Sequence, residues 1–170
     1  MQVTWNEPDE RGLPVMTEQA PSEARPQRAR RADFKHHRVV TTRWMDNDVY
    51  GHVNNVVYYS FFDTAVNAAL IEAGLLDTAS SAVFGLVVET GCRYSASISF
   101  PESIEAGIRV AHLGNSSVRY EVCLFRIGDE QAVAEGHFVH VYVDRKTRRP
   151  APIPADVRAF LQSLVREPAA

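Results

Sequence analysis

The sequence predicts an α+β domain in which a curved antiparallel sheet of about five strands wraps around one long apolar helix, with a short helix closing the chain. Three observations lead there. Twelve of the seventeen residues from Val56 to Glu72 are apolar, interrupted only by the narrow polar stripe Ser60, Asp63, Thr64 and Asn67, so almost the whole circumference of that helix needs cover. Four segments after it alternate with a period of two, the mark of strands with one covered face. The turn signals Pro101-Glu102, Gly114-Asn115 and Gly128-Asp129 separate these segments closely enough to make consecutive strands antiparallel. A flat sheet would cover only one side of the helix, hence the expected curvature.

Residues 1–33 hold four of the nine prolines and the basic run Arg25, Arg28, Arg30 and Arg31, without apolar periodicity. They form an N-terminal extension, flexible or docked on a partner subunit, and the domain proper occupies residues 34–170. His36 to Trp44 reads as a first strand that ends at the turn formers Asp46, Asn47, Asp48 and Gly51. Asn54 and Asn55 can cap the apolar helix, and Gly74 suits its exit. From Phe84 to Phe100 the even positions are mostly apolar and predict one long strand covered on that face. Ile104, Ala106, Ile108 and Val110 repeat the pattern, as do Val118, Tyr120, Val122 and Leu124, and then Val133 through Val143. The closing helix spans 154–166, with Val157, Phe160, Leu161 and Leu164 at helical spacing.

Composition narrows the function. At 170 residues and 45% apolar the chain folds without a metal or disulfide staple, and Cys92 and Cys123 lie far apart, outside any CxxC pair. A net charge of -3 argues against a nucleic-acid binder. Glu7, Asp9, Glu10 and Arg11 stand where a signal peptide would be apolar, so a cytoplasmic location is expected. The polar residues within Val56–Ile71 argue against a membrane span.

The stretch from Arg43 to Tyr58 crowds acids, amides and a histidine into a strand-to-helix turn. Asp46, Asp48 and Gly51 fit the first, third and sixth positions of a calcium loop, but Tyr50 and Val57 stand where further oxygen ligands are needed. No HExxH, GxSxG, Walker or GxGxxG pattern occurs, which sets aside zincins, α/β-hydrolases and nucleotide-binding loops. What remains is carboxylate, imidazole and backbone. A helix starting near Asn54 or Asn55 points unpaired N–H groups and its positive dipole end at the loop, where they could stabilise the oxyanion of an attacked thioester. Asp48 stands close enough in sequence to attack or to activate water; as a bare pattern, an Asp before a helix is more often a cap or turn former.

The Asp-x-Asp-x-x-Gly-His-Val-Asn-Asn loop, the strand before it and the aromatic-rich helix after it resemble the hotdog-fold acyl-CoA thioesterases of the 4-hydroxybenzoyl-CoA thioesterase-like family. Arg93-Tyr94 and the Ser-Ala-Ser-Ile-Ser-Phe that follows add to the likeness, which covers roughly residues 36–145. The resemblance implies a hotdog fold and hydrolysis of a fatty or aromatic acyl-CoA to free acid and coenzyme A. It implies no metal and no cofactor, coenzyme A being part of the substrate. It places the catalytic carboxylate at Asp48, as nucleophile or general base, and the oxyanion-hole N–H at Asn55. His52 would polarise the carbonyl or hold the carboxylate, and Gly51, Asn54 and Tyr58 would contact substrate. A homodimer or homotetramer follows, with sites at the subunit interface. The alternatives are a non-catalytic acyl-CoA-binding module and an acyl-carrier-protein thioesterase. The basic cluster Arg145, Lys146, Arg148 and Arg149 could meet coenzyme A phosphates or be a solvated strand end.

Overall fold

The computed structural model describes residues 27–166, so most of the expected extension lies outside the described residues. Five antiparallel strands form one sheet: β1 (His36–Thr41), β2 (Val83–Tyr94), β3 (Ser103–Leu113), β4 (Ser117–Arg126) and β5 (Ala134–Asp144), in the spatial order β1-β3-β4-β5-β2. Helix α1 (Val57–Glu72) lies between β1 and β2 in the chain, and α2 (Ala155–Ser163) follows β5. This is the hotdog architecture that the sequence predicts.

Burial along α1 follows one stripe. Tyr58, Phe61, Phe62, Ala65, Val66, Ala69 and Leu70 are buried at the i, i+3, i+4, i+7 spacing of a helix face. They meet the inner sheet face, built from Ile104, Ala106, Ile108 and Val110 of β3 and Val118, Tyr120, Val122 and Leu124 of β4. Phe62 is wholly buried, and its ring packs edge-on against Phe138 of β5. Gly136 makes room for it, since a Cβ there would lie 2.2 Å from Phe62 Cε2. The opposite side of the helix, with Ser60, Asp63 and Thr64, is exposed, so within one chain the sheet covers a face and not the expected whole circumference.

Two strand ends and one register differ from the sequence expectation. The first strand stops at Thr41 and not Trp44, because Asp46 Oδ2 accepts the Arg43 N–H at 2.6 Å and draws Trp44–Asp46 into a 3-10 turn. The long strand to Phe100 ends at Tyr94: the N–H groups of Ser95 and Ala96 both converge on Val133 O, taking the chain out of the ladder. Within β2 the register shifts between Val87 and Glu89. The shift reverses which side faces inward, so Gly85 and Val87 oppose the inner residues Tyr142 and His140, whereas Thr90 and Cys92 oppose Phe138 and Gly136. The predicted even-numbered face therefore holds only in the second half. As an edge strand β2 also leaves Leu86, Val87 and Val88 exposed.

The outer sheet face carries a second small core of Phe34, Cys123, Phe125 and Ala132. The segment before β1 supplies part of it: Arg30 bridges Gln131, Ala29 O accepts from Ala132 N, and Phe34 packs on Phe125 over Gly107. Arg31 closes the strap with two hydrogen bonds to Glu105.

Candidate active site

The loop between β1 and α1 is held by its own polar groups. Asp46 is buried and spends its carboxylate on the Arg43 N–H, while its carbonyl accepts from Asn54 N at 2.8 Å. Asp46 is thereby a structural residue of the loop. Asn47 pairs with Val53 in a short antiparallel bridge and its side chain accepts from Phe100 N at 3.0 Å, tying the loop to the segment after β2. Between these ties sits a tight turn. Asp48 N donates to His52 O, Gly51 N donates to Asp48 O, and Gly51 adopts a φ of 84°, a left-handed conformation that suits glycine. Asp48 Oδ1 accepts from Tyr50 N at 2.9 Å and stands 3.9 Å from His52 Nδ1.

The expected asparagine caps are not helix caps. The residue preceding α1 is Val56, and Asn54 forms an Asx-turn one step earlier: its Oδ1 accepts from Val56 N and its carbonyl from Val57 N. Asn55 therefore sits outside the helix proper, at the head of its first turn. Its N–H meets no acceptor among the described residues, and its carbonyl accepts from the Tyr94 hydroxyl at 2.9 Å, which fixes the orientation of the adjoining peptide.

Asp48, His52, Asn55 and Tyr58 line one open groove of about 400 Å3, closed on the other side by Tyr94, Ser95, Ala96 and Ser97. The loop wall is set by the Asx-turn and the start of α1. The facing wall is set by the end of β2, with Arg126 donating to Ser97 O and Ser99 Oγ donating to Gly51 O. Four of the six residues singled out from the sequence thus share a surface. Gly51 and Asn54 lie beside it as turn formers and do not line it.

Tyr94 is the participant that sequence reasoning did not single out. Its ring stands edge-on to Tyr58 at 4.9 Å, and its hydroxyl spans to Asn55. Burial pushes Tyr94 upward, with Cys92 adding to the shift, and pushes the Cys92 thiol itself up to about 11. Tyr58 is raised by burial as well. All three are neutral near pH 7, so this wall offers hydroxyl donors and no thiolate nucleophile. The carboxylate and imidazole of the groove come from Asp48 and His52.

The basic cluster Arg145, Lys146, Arg148 and Arg149 follows β5, beside Val83 at the start of β2, whereas the groove adjoins Tyr94 at its end. Val83 and Tyr94 are the two ends of a 12-residue strand, so eleven steps separate them, roughly 36 Å at about 3.3 Å each. One chain does not bring the two together.

The model of the Thioesterase-like superfamily matches residues 40–161, a span that includes the end of β1, the loop, α1 and the other four strands, but not the strap. No curated protein matches the chain. Among solved structures, the PA5185 protein from Pseudomonas aeruginosa is 53% identical, superposes with a TM-score of 0.80, and is covered over 97% of its length by 82% of this chain. The PA2801 protein from the same organism, provisionally called a thioesterase, is 29% identical at a TM-score of 0.70, with 98% of it and 75% of this chain aligned. Slr0204, a 1,4-dihydroxy-2-naphthoyl-CoA thioesterase from Synechocystis, shares the fold at 14% identity and a TM-score of 0.69, over 96% of its chain and 75% of this one.

Proposed function

From the premise that this chain belongs to the Thioesterase-like superfamily, we propose that it hydrolyses an acyl-CoA thioester, fatty or aromatic in its acyl part, to free acid and coenzyme A. The observation that carries the reading is the single groove lined by Asp48, His52, Asn55 and Tyr58 at the head of α1. A thioester carbonyl seated there meets the unpaired Asn55 N–H and the positive end of the helix, which stabilise the oxyanion as it forms. Asp48 then acts in one of two ways. Its carboxylate attacks the carbonyl carbon, the C–S bond breaks, coenzyme A leaves as thiolate and takes a proton from solvent, and water hydrolyses the mixed anhydride. Alternatively Asp48 takes a proton from water as that water attacks; the C–S bond then breaks, coenzyme A leaves as thiolate and takes that proton back from Asp48, and the acid forms directly. His52, across from Asp48, holds the carboxylate or polarises the carbonyl. Gly51 and Asn54 serve by shaping the turn, and Tyr58 with Tyr94 forms the acyl-side wall.

The naphthoyl-CoA activity of Slr0204 lends support to an aromatic acyl group. The uncovered edge of β2, with Leu86, Val87 and Val88 exposed, supports a homodimer or homotetramer, since unpaired apolar edges invite pairing with a second chain. Among the described residues no helix is long and apolar enough to cross a membrane. Exposed Trp44, Met45, Val49 and Tyr50 on the same loop favour a second reading, in which the acyl group arrives on an acyl-carrier protein docking against that apolar rim. Thiol release from short, long, benzoyl and phenylacetyl CoA esters, beside the matching carrier-protein esters, tests both. Turnover of a CoA ester supports the first reading and turnover confined to carrier esters the second. Tight binding of acyl-CoA with no release from any ester would mark a non-catalytic binding module.

A further inference from the structure

The Asn55 N–H can serve an oxyanion only if its direction is fixed, since a donor at a reacting centre has to hold to within about 0.5 Å and 10–20°. What fixes it is the turn Asn54–Val57. The ends of the turn are tied within the loop: Asn54 N donates to Asp46 O, and Val57 N donates to Asn54 O at 2.9 Å, which holds the peptide that carries the Asn55 N–H. The peptide between Asn55 and Val56 stands at the middle of the turn. Neither side chain anchors it, because Asn55 is exposed and Val56 is 62% exposed. From the loop it receives one bond, Val56 N to Asn54 Oδ1 at 3.1 Å, and that acceptor belongs to a side chain only half-buried.

The second bond to this peptide comes from across the groove. The Tyr94 hydroxyl donates to Asn55 O at 2.9 Å, and among the described residues it is the one group of the sheet that bonds to residues 54–57. Its backbone is the last of the β2–β5 ladder, opposite Ala134, just before the chain leaves the sheet. Its ring stands at 87° to that of Tyr58, 4.9 Å away, and Tyr58 is only 3% exposed, so the phenol leans on the core. Burial first, and then the Cys92 thiol and the Tyr59 hydroxyl beside it, hold the phenol proton on above the usual tyrosine range, so the donor persists through mildly alkaline pH.

A phenylalanine at this position would keep the ring contact and lose only the bond to Asn55. The hydroxyl is therefore the part of the residue that needs a reason, and the groove supplies one. We propose that Tyr94 is a positioning residue of the thioester hydrolysis: its hydroxyl clamps the Asn55–Val56 peptide and so aims the Asn55 N–H at the carbonyl oxygen of the bound thioester. In this role it acts through Asn55, separately from the place of its ring in the groove wall. The positioning role rests on the thioesterase reading, whereas the clamp itself does not.

Tyr94→Phe in the full chain separates the hydroxyl from the ring, and two measurements read it. Hydrogen exchange at the Val56 and Val57 amides should quicken by about five- to tenfold, the worth of roughly one hydrogen bond, in a protein that still melts cooperatively. Thiol release from the best acyl-CoA ester should lose about tenfold in kcat with KM within about twofold, because the hydroxyl is felt only as charge develops on the oxygen. Tyr94→Met, which fills the same wall without a donor, gives the same two readings if the phenylalanine variant does not fold. Unchanged exchange at Val56 and Val57 overturns the clamp, whatever the turnover. Faster exchange with kcat within about twofold of wild type, or a loss carried by KM alone, overturns the positioning role. A wild type that releases no thiol from any ester fails the thioesterase reading and the positioning role with it, while the exchange result still decides the clamp.

Discussion

His140 is the residue whose environment turns most directly into a measurable stability. It is buried on β5 against the Tyr120 and Phe138 rings, and burial lowers its pKa from 6.5 to about 4, with the Asp63 carboxylate of α1 opposing the shift. In the folded chain it is neutral. In the unfolded chain it takes a proton as soon as the pH falls below its ordinary value. The unfolded state therefore binds the extra proton between those two values, and stability is complete above the ordinary value and drains away as the pH falls towards the folded one. At 1.36 kcal/mol per pH unit the full span is worth about 3 kcal/mol, and about 2 kcal/mol of it is lost by about pH 5. Urea unfolding of wild type and His140→Phe across this range isolates the contribution, because other titrating groups are common to both. The expected result is a gap between the two curves that shifts by about 3 kcal/mol in favour of the variant from neutral pH to about pH 4. Parallel curves would refute the reasoning, since they would mean that His140 keeps its ordinary affinity for protons inside the fold.

Three more outcomes follow from the packing and the loop. Gly136→Ala places a methyl against the fully buried Phe62 ring and should cost about 1–3 kcal/mol in urea unfolding, with Phe62→Leu in the same chain recovering part of the loss. Phe34→Ala should cost about 3–5 kcal/mol in the same assay, because the strap is part of the folded sheet through Phe125 and not an independent tail. Asn55→Ala should leave thiol release within about threefold of wild type, whereas Asn55→Pro, which removes the N–H, should lower it by about a hundredfold or more in a chain that still melts cooperatively.

The parts of the fold that were legible in the sequence are those where one periodicity holds without interruption. The buried stripe of α1 repeats from Tyr58 to Leu70, and β3 and β4 alternate cleanly from Ile104 and Val118. Strand β2 was misread because Val88 has the chemistry of any strand residue, and the register shift beside it exists only in the pairing with β5. The start of α1 was misplaced for a related reason. Asn54 and Asn55 both have cap chemistry, and only the hydrogen bond from Val56 to Asn54 Oδ1 shows that the turn comes one step before the helix. In the groove, Asp48, His52, Asn55 and Tyr58 were legible because they lie within eleven residues of one turn. Tyr94 was not, since it arrives from the end of a strand on the far side of the sheet order and no local pattern marks the hydroxyl that reaches Asn55.

The central claim is that the carboxylate of Asp48 does the chemistry in the groove at the head of α1. Thiol release from the best acyl-CoA substrate, wild type against Asp48→Asn, tests it most directly, because the amide keeps the shape of the turn and its acceptor for Tyr50 N while removing the charge. The account predicts a fall of at least about a hundredfold in kcat/KM with acyl-CoA binding and melting temperature retained. Release that continues within a few-fold of wild type in a folded Asp48→Asn protein would contradict it.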